Sequence, residues 1–299
     1  MVDVAIAGDR LRCVLSTQGG TIWRLEADLG DGWQSLLRPP AEGSDRDPLR
    51  AGCFPLVPFG NRVEGNRFLF DGREHILAPN IPWDQHYLHG DGWLGEWTVD
   101  ERWAARASMS FEFRGQSYRY RAAQRFECDG AEFRATLNVT NYGPQPMPFG
   151  LGWHPYFPLT PATTLAAPAT AYWTEKAGWL PDARTMIPEA LEFNQSKNLP
   201  RRWVNNGFEG WNGVASIVWP ERQIRLRVET APKLSRYFLF VSDTTFDPDY
   251  REDFFCFEPM SHSANGHNLP DLGGLTMLAP GQGMEVSMAL SCRVTGGAE

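Results

Sequence analysis

Alternation of apolar and polar residues is the dominant pattern along this chain. Thr21-Ile22-Trp23-Arg24-Leu25-Glu26 alternates with period two, and so do residues 108–113, 118–126 and 133–140. Such alternation predicts half-buried strands, each with one wet face. Residues 2–7, 11–15 and 21–27 are predicted as strands, broken at Gly8-Asp9 and Gly19-Gly20. Gly30-Asp31-Gly32 predicts a turn, and the polar, Pro-rich residues 38–50 a surface loop. Asp71-Gly72 predicts a hairpin between 67–70 and 74–77. From 98 to 140 the pattern is an antiparallel meander. Further strands are expected at 215–219, 223–230, 236–242 and 284–294, with an aromatic loop at 208–213. Residues 81–97, rich in Gly and aromatics, predict a long connection that carries function. Residues 158–200 predict short strands and loops. No amphipathic helix of about 11 or more residues stands out. The fold class is all-β: a large antiparallel sandwich. No composition break or internal repeat divides it, so residues 1–299 are expected to form a single domain.

Composition narrows the function. The chain is 42% hydrophobic and 21% charged, ordinary for a globular protein with a large core. Its net charge of −8 disfavours nucleic-acid binding and anionic membrane surfaces. Twelve Trp are many for this length, and they suit both a core and a sugar-binding face. Five widely spaced Cys with no C-x-x-C pair predict free thiols and a cytoplasmic location. The N-terminal MVDVAIAGDRLR has no signal-peptide pattern, and no window approaches the roughly 18 apolar residues of a membrane span.

Four places combine unusual residues with loop or strand-end context. In FGLGWHPYFPL, His154 lies among Phe149, Trp153, Tyr156 and Phe157. An imidazole there suits proton transfer against a sugar face, or is a satisfied structural histidine. Glu258 closes the apolar run FFCFEP. At the end of a buried strand its pKa would rise and make it a usable base; otherwise it emerges at the surface. Arg62, after Asn61, is a surface cation or a clamp on a substrate oxygen. His86 and His89 have H-x-x-H spacing but in a Gly-rich, β-type setting do not share a face, so no metal site is expected. His262 and His267 flank a polar loop and read as solvated. No nucleophile elbow, dinucleotide or phosphate-binding motif is present.

In this order, these motifs resemble the aldose 1-epimerase (galactose mutarotase) family. The matching pieces are T-x-G-G at 17–20, F-G-N-R-V at 59–63, L-H-G-D-G-W at 88–93, G-W-H-P-Y-F at 152–157 and F-E-P at 257–259. The resemblance implies a single β-supersandwich, a cofactor-free site and a small-molecule sugar as partner. It implies Glu258 as general base and His154 as general acid, on opposite sides of the C1–O5 bond in a shared groove. His89 and Arg62, with Asn61, would hold substrate oxygens. Asn205 stands where the family often has an Asp, which puts the preferred sugar in doubt. Trp93 or Trp153 would stack on the sugar. Two alternatives remain open: a carbohydrate-binding protein without chemistry, and an enzyme for a phosphorylated or sulfonated sugar. The latter would be favoured by Arg67 or Arg73 beside Arg62.

Overall fold

The computed structural model describes residues 1–30, 32–41 and 43–295. Asp31, at the centre of the predicted 30–32 turn, and Glu42, in the 38–50 segment, lie outside the described residues. Two large antiparallel sheets dominate. The first, of eleven strands, runs from Asp3–Ala7 through Leu11–Ser16, Thr21–Asp28, Cys53–Leu56, Gly152–Pro158, Phe254–Met260, Arg236–Val241, Val204–Glu209 and Ala171–Lys176 to Leu180–Thr185, with Trp33–Ser35 branching from Thr21–Asp28. The second, of nine strands, contains the predicted meander Thr98–Arg102, Arg106–Arg114, Arg119–Asp129 and Glu132–Asn141, then Gly283–Val294, Ile224–Ala231 and Val214–Trp219.

Alternation does its expected work in the second sheet. In Arg119–Asp129 every second side chain, from Tyr120 to Cys128, is buried, and the others face water. The strand pairs in register with Glu132–Asn141, Phe126 opposite Ala135, so the apolar sets of both strands share one face. That face packs on the first sheet in a core that includes Leu137, Trp153, Phe157, Phe255 and Phe257.

The centre of the first sheet behaves differently. Cys53–Leu56 and Phe254–Met260 are buried throughout, and Gly152–Pro158 is buried at all but its last position. These strands are covered on both faces, so they read as continuous apolar runs and not as alternation. Phe54, Leu56, Tyr156, Phe238, Cys256 and Met260 form a second cluster on the face turned away from the other sheet.

Three expectations are corrected here. Glu258 does not end a strand: pairing continues through Pro259, opposite Tyr237, to Met260. The predicted aromatic loop at 208–213 is shorter, because Val204–Glu209 is a strand with Phe208 opposite Tyr237. His262 and His267 are buried, not solvated. His262 Nε2 accepts the Gly60 N–H at 2.9 Å, and His267 Nε2 lies 2.9 Å from the Tyr118 hydroxyl. Because that hydroxyl already donates to the Pro148 carbonyl, His267 Nε2 is the donor to it. The 67–77 hairpin forms as read, with Arg67 opposite Ile76. Helical structure among the described residues is confined to short 3-10 turns, and no helix is long and apolar enough to cross a membrane.

Candidate active site

Strand register assembles the site. Phe54 pairs with His154, and Phe238 pairs with Glu258. Between the His154 and Glu258 strands the ladder joins Gly152 to Met260 and Tyr156 to Cys256, with no pair recorded between them. Carrying that register inward sets His154 opposite Glu258. Pro155 and Pro259, which have no N–H to give, fall within the gap. A row of side chains, Phe54, His154, Glu258 and Phe238, therefore crosses the sheet on one face.

His154 Nε2 lies 3.3 Å from Glu258 Oε1. The two were expected on opposite sides of a groove; they are cross-strand neighbours in direct contact on its floor. Glu258 is 1% exposed and His154 7%. Burial pushes the Glu258 carboxyl well above the usual carboxylate range, with Arg62 opposing. Burial also holds His154 well below the usual imidazole value, and the charges of Arg38 and Arg62 add to this. His154 was expected to be protonated; burial favours its neutral form. Glu258 Oε2 and His154 Nδ1 are buried without a hydrogen-bond partner.

Loops supply the roof. Arg62–Val63 pairs with Tyr87–Leu88, which places Asn61 beside His89. The two residues lock each other: the Asn61 N–H donates to His89 Nδ1 at 3.0 Å, and the His89 N–H donates to the Asn61 carbonyl at 3.0 Å. Both adopt positive φ, 61° and 60°. Gly90 follows at φ 71°, where a Cβ would lie 2.3 Å from the Val57 carbonyl oxygen, so only glycine fits that turn. Burial first, with the nearby His154 and Arg62 adding to it, pushes His89 well below the usual imidazole value and favours its neutral form. Since its Nδ1 accepts, its proton sits on Nε2. His86 points elsewhere, taking the Gly65 N–H at 3.2 Å. Among the described residues, no group of three or more His, Cys, Asp or Glu side chains is placed to hold a metal ion.

Arg62 is held by Asp84, Nε to Oδ2 at 2.8 Å, and both side chains are buried. Asp84 Oδ1 takes the His86 N–H at 2.8 Å, and the Trp179 ring lies 5.1 Å from the guanidinium carbon.

Arg62, His89, Asn61, Asn205, His154 and Glu258 line one cleft of about 90 Å³ together with Leu49, Trp83, Tyr156, Phe238, Phe240 and Phe246. Two sequence expectations fail here. Trp93 is 1% exposed, stacks on Phe54 at 5.1 Å and backs His89; it is not on the cleft wall. Trp153 faces the core between the sheets. The aromatic residue at the mouth is Trp83, 46% exposed, which precedes Asp84. No motif distinguishes Trp83 and Asp84 beyond their place in the Gly- and aromatic-rich connection. Arg67 and Arg73 bond Glu74 and Gln145 and do not line the cleft. A larger open groove, about 1310 Å³, lies by the Asp3–Ala7 edge, but it contains no histidine and its buried Glu26 is paired with Arg12 at 2.7 Å. The buried contact between His154 and Glu258 lies in the smaller cleft.

Comparison with known proteins bears on the family and the fold. The aldose 1-epimerase family profile matches residues 4–291. YphB, an uncharacterized protein of Escherichia coli K12, is 47% identical over 291 residues, covering 97% of this chain and 98% of YphB. A crystal structure of an E. coli K12 protein provisionally described as an aldose 1-epimerase superposes with a TM-score of 0.93 at 44% identity, over 98% of this chain and 99% of that one. A GalM/aldose epimerase homologue from C. elegans shares the fold at a TM-score of 0.83 and 16% identity, over 99% of each chain. With a family match over nearly its whole length and a β-supersandwich built from antiparallel sheets, the chain belongs to the aldose 1-epimerase family.

Proposed function

We propose that this protein is a mutarotase that interconverts the α and β anomers of a free aldose by acid–base ring opening. The observation that carries this reading is the buried contact between His154 and Glu258. Burial favours the neutral form of each, so the resting pair is a carboxylic acid beside a neutral imidazole. Moving one proton across 3.3 Å gives a carboxylate beside an imidazolium with the same total proton count. The pair is therefore a single unit that gives one proton and takes one.

In the carboxylate–imidazolium form Glu258 removes the O1 proton while His154 protonates the ring oxygen. The C1–O5 bond breaks, C1=O1 forms, and rotation about C1–C2 presents the other carbonyl face. Closure reverses the transfers. Each partner contributes about 10²–10⁴-fold. Arg62 lies near enough to favour the carboxylate form of Glu258. The Nε2–H of His89 and the free guanidinium N–H groups of Arg62 offer donors to substrate oxygens. A binding protein without chemistry has no need of this pair. A charged sugar gains no support from Arg67 or Arg73, and the charge of Arg62 is matched by Asp84. Five free, buried cysteines support the cytoplasmic expectation.

The test is anomer exchange, followed by NMR or polarimetry, on freshly dissolved α-aldoses both neutral and anionic. Acceleration is expected with the parent, and a loss of about 100-fold or more in Glu258→Gln and His154→Ala. Full activity in both variants would sink the assignment. No acceleration on any sugar would leave a carbohydrate-binding protein.

A further inference from the structure

Glu64 stands two residues after Arg62 and reaches two elements remote in the sequence. The first is the polar loop 261–267, which follows the Glu258 strand. Asn265 in this loop is 4% exposed and sits at φ 55°, a conformation that asparagine tolerates better than most residues. It grips the Arg62 segment three times. Its N–H donates to the Arg62 carbonyl at 3.1 Å, its Oδ1 accepts the Glu64 N–H at 3.0 Å, and its Nδ2 donates to Glu64 Oε2 at 3.1 Å. A backbone N–H on one side and a carboxylate on the other fix which end of the amide is oxygen. The second element is the turn between Ala171–Lys176 and Leu180–Thr185. Lys176 Nζ donates to Glu64 Oε1 at 2.7 Å. The turn then lays Trp179 over Arg62, with 5.1 Å from ring centre to guanidinium carbon, within cation–π range. Its Gly178 packs so closely on the 81–97 connection that a Cβ would lie 2.9 Å from Gln85 Nε2 and 3.0 Å from His86 Nε2. The two oxygens of one carboxylate tie the loop behind Glu258 to the turn above Arg62. Glu64, Asn265, Lys176 and Trp179 do not line the cleft.

We infer that Glu64 is a positioning residue that clasps the Trp179 turn onto Arg62 and so keeps the free guanidinium N–H groups turned to the cleft. The inference rests on the mutarotase reading, in which those groups meet substrate oxygens. Asp84 holds the guanidinium at Nε and Trp179 covers it, so it is confined on both sides only while the turn is in place. The Glu64 and Lys176 side chains are 41% and 39% exposed, so the clasp is weak and open to screening by salt. An exposed ion pair and one hydrogen bond set the scale: opening the clasp weakens sugar binding about three- to tenfold. The charge of Arg62 stays in place when the clasp opens. What is lost is a hold on the sugar made alike before and during the reaction, so the effect falls on KM and not on kcat.

The experiment exchanges the two side chains that meet at the clasp. Glu64→Gln leaves one acceptor for two donors, so either Lys176 or Asn265 loses its partner. It is expected to raise KM about three- to tenfold with kcat within about twofold of the parent. Amide hydrogen exchange should quicken at residues 62–64 and 176–180 and nowhere else. Asn265→Asp sets two carboxylates together and is expected to do the same. In the double variant E64Q/N265D the new amide accepts from Lys176 and donates to the new carboxylate, so KM and local exchange are expected within about twofold of the parent. Melting temperatures of the four proteins should agree within about 3 °C. A parental KM or parental exchange at 176–180 in E64Q, exchange raised throughout the chain, or a double variant no better than either single one would overturn the inference. If the parent accelerates no anomer exchange, the mutarotase reading fails by itself. Local exchange and its rescue in the double variant then decide whether Glu64 clasps the turn.

Discussion

Asp84→Ala is the sharpest probe of how the site is held. The Arg62 and Asp84 side chains are 7% and 0% exposed, and their contact is 2.8 Å. Removing one partner of a buried pair leaves the other charge without compensation, at a cost of about 3–5 kcal/mol. Unfolding entropy of ~2.1 cal/mol/K per residue gives ~0.6 kcal/mol/K for a chain of this length. The melting temperature should therefore fall by ~5–8 °C, readable by calorimetry. Asp84→Asn keeps the shape and one acceptor and should lose about half as much. Arg62→Met combined with Asp84→Ala removes both charges and should recover much of the stability without recovering activity. A melting temperature of D84A within about 1 °C of the parent would refute the idea that this pair matters for the fold. Recovery of activity in the double variant would remove Arg62 from the site.

Other outcomes follow from the same geometry. The raised pKa of Glu258 means that the folded state holds a proton the unfolded chain releases near pH 4.5. The stabilisation this gives is complete below that value and is lost as pH rises toward the native one. The stability of Glu258→Gln relative to the parent should therefore rise with pH from about 5, by at most ~1.4 kcal/mol per pH unit, measured by denaturation at several pH values. A flat difference would mean that Glu258 is an ordinary carboxylate. Trp83→Ala should raise KM several-fold and leave the melting temperature nearly unchanged, because the ring lies at the mouth and is 46% exposed. Trp93→Ala should do the reverse and destabilise by about 3–5 kcal/mol, since Trp93 is packed behind His89. A melting curve and a KM on each variant check both.

What was legible in the sequence depended on how local its cause was. The meander from 98 to 140 could be read because each strand has one wet face and its partner follows directly in the chain. Glu258 was misplaced at a strand end because Pro259 reads as a stop. It is tolerated there because the ladder toward the His154 strand is interrupted at that point. The motifs around Arg62, His89, His154 and Glu258 marked residues that the fold brings together from four segments. Trp93 and Trp83 show the limit. They lie ten residues apart in one connection with no pattern to tell them apart, yet Trp93 is buried and Trp83 is exposed. Asp84 acts through a partner distant in sequence, Arg62, so no short pattern could single it out.

The contact between His154 and Glu258 has a consequence for how the site answers to its surroundings. Throughout the proposed cycle the pair exchanges protons with the sugar and keeps the same total charge. No counter-ion has to follow the reaction in or out of a buried space. Dissolved salt screens exposed charges over ~8 Å at physiological strength but acts far less on buried ones. The chemical step should then be nearly indifferent to ionic strength, even though the molecule carries a net charge of −8. The acidic surface is left free to change without retuning the buried pair beneath it.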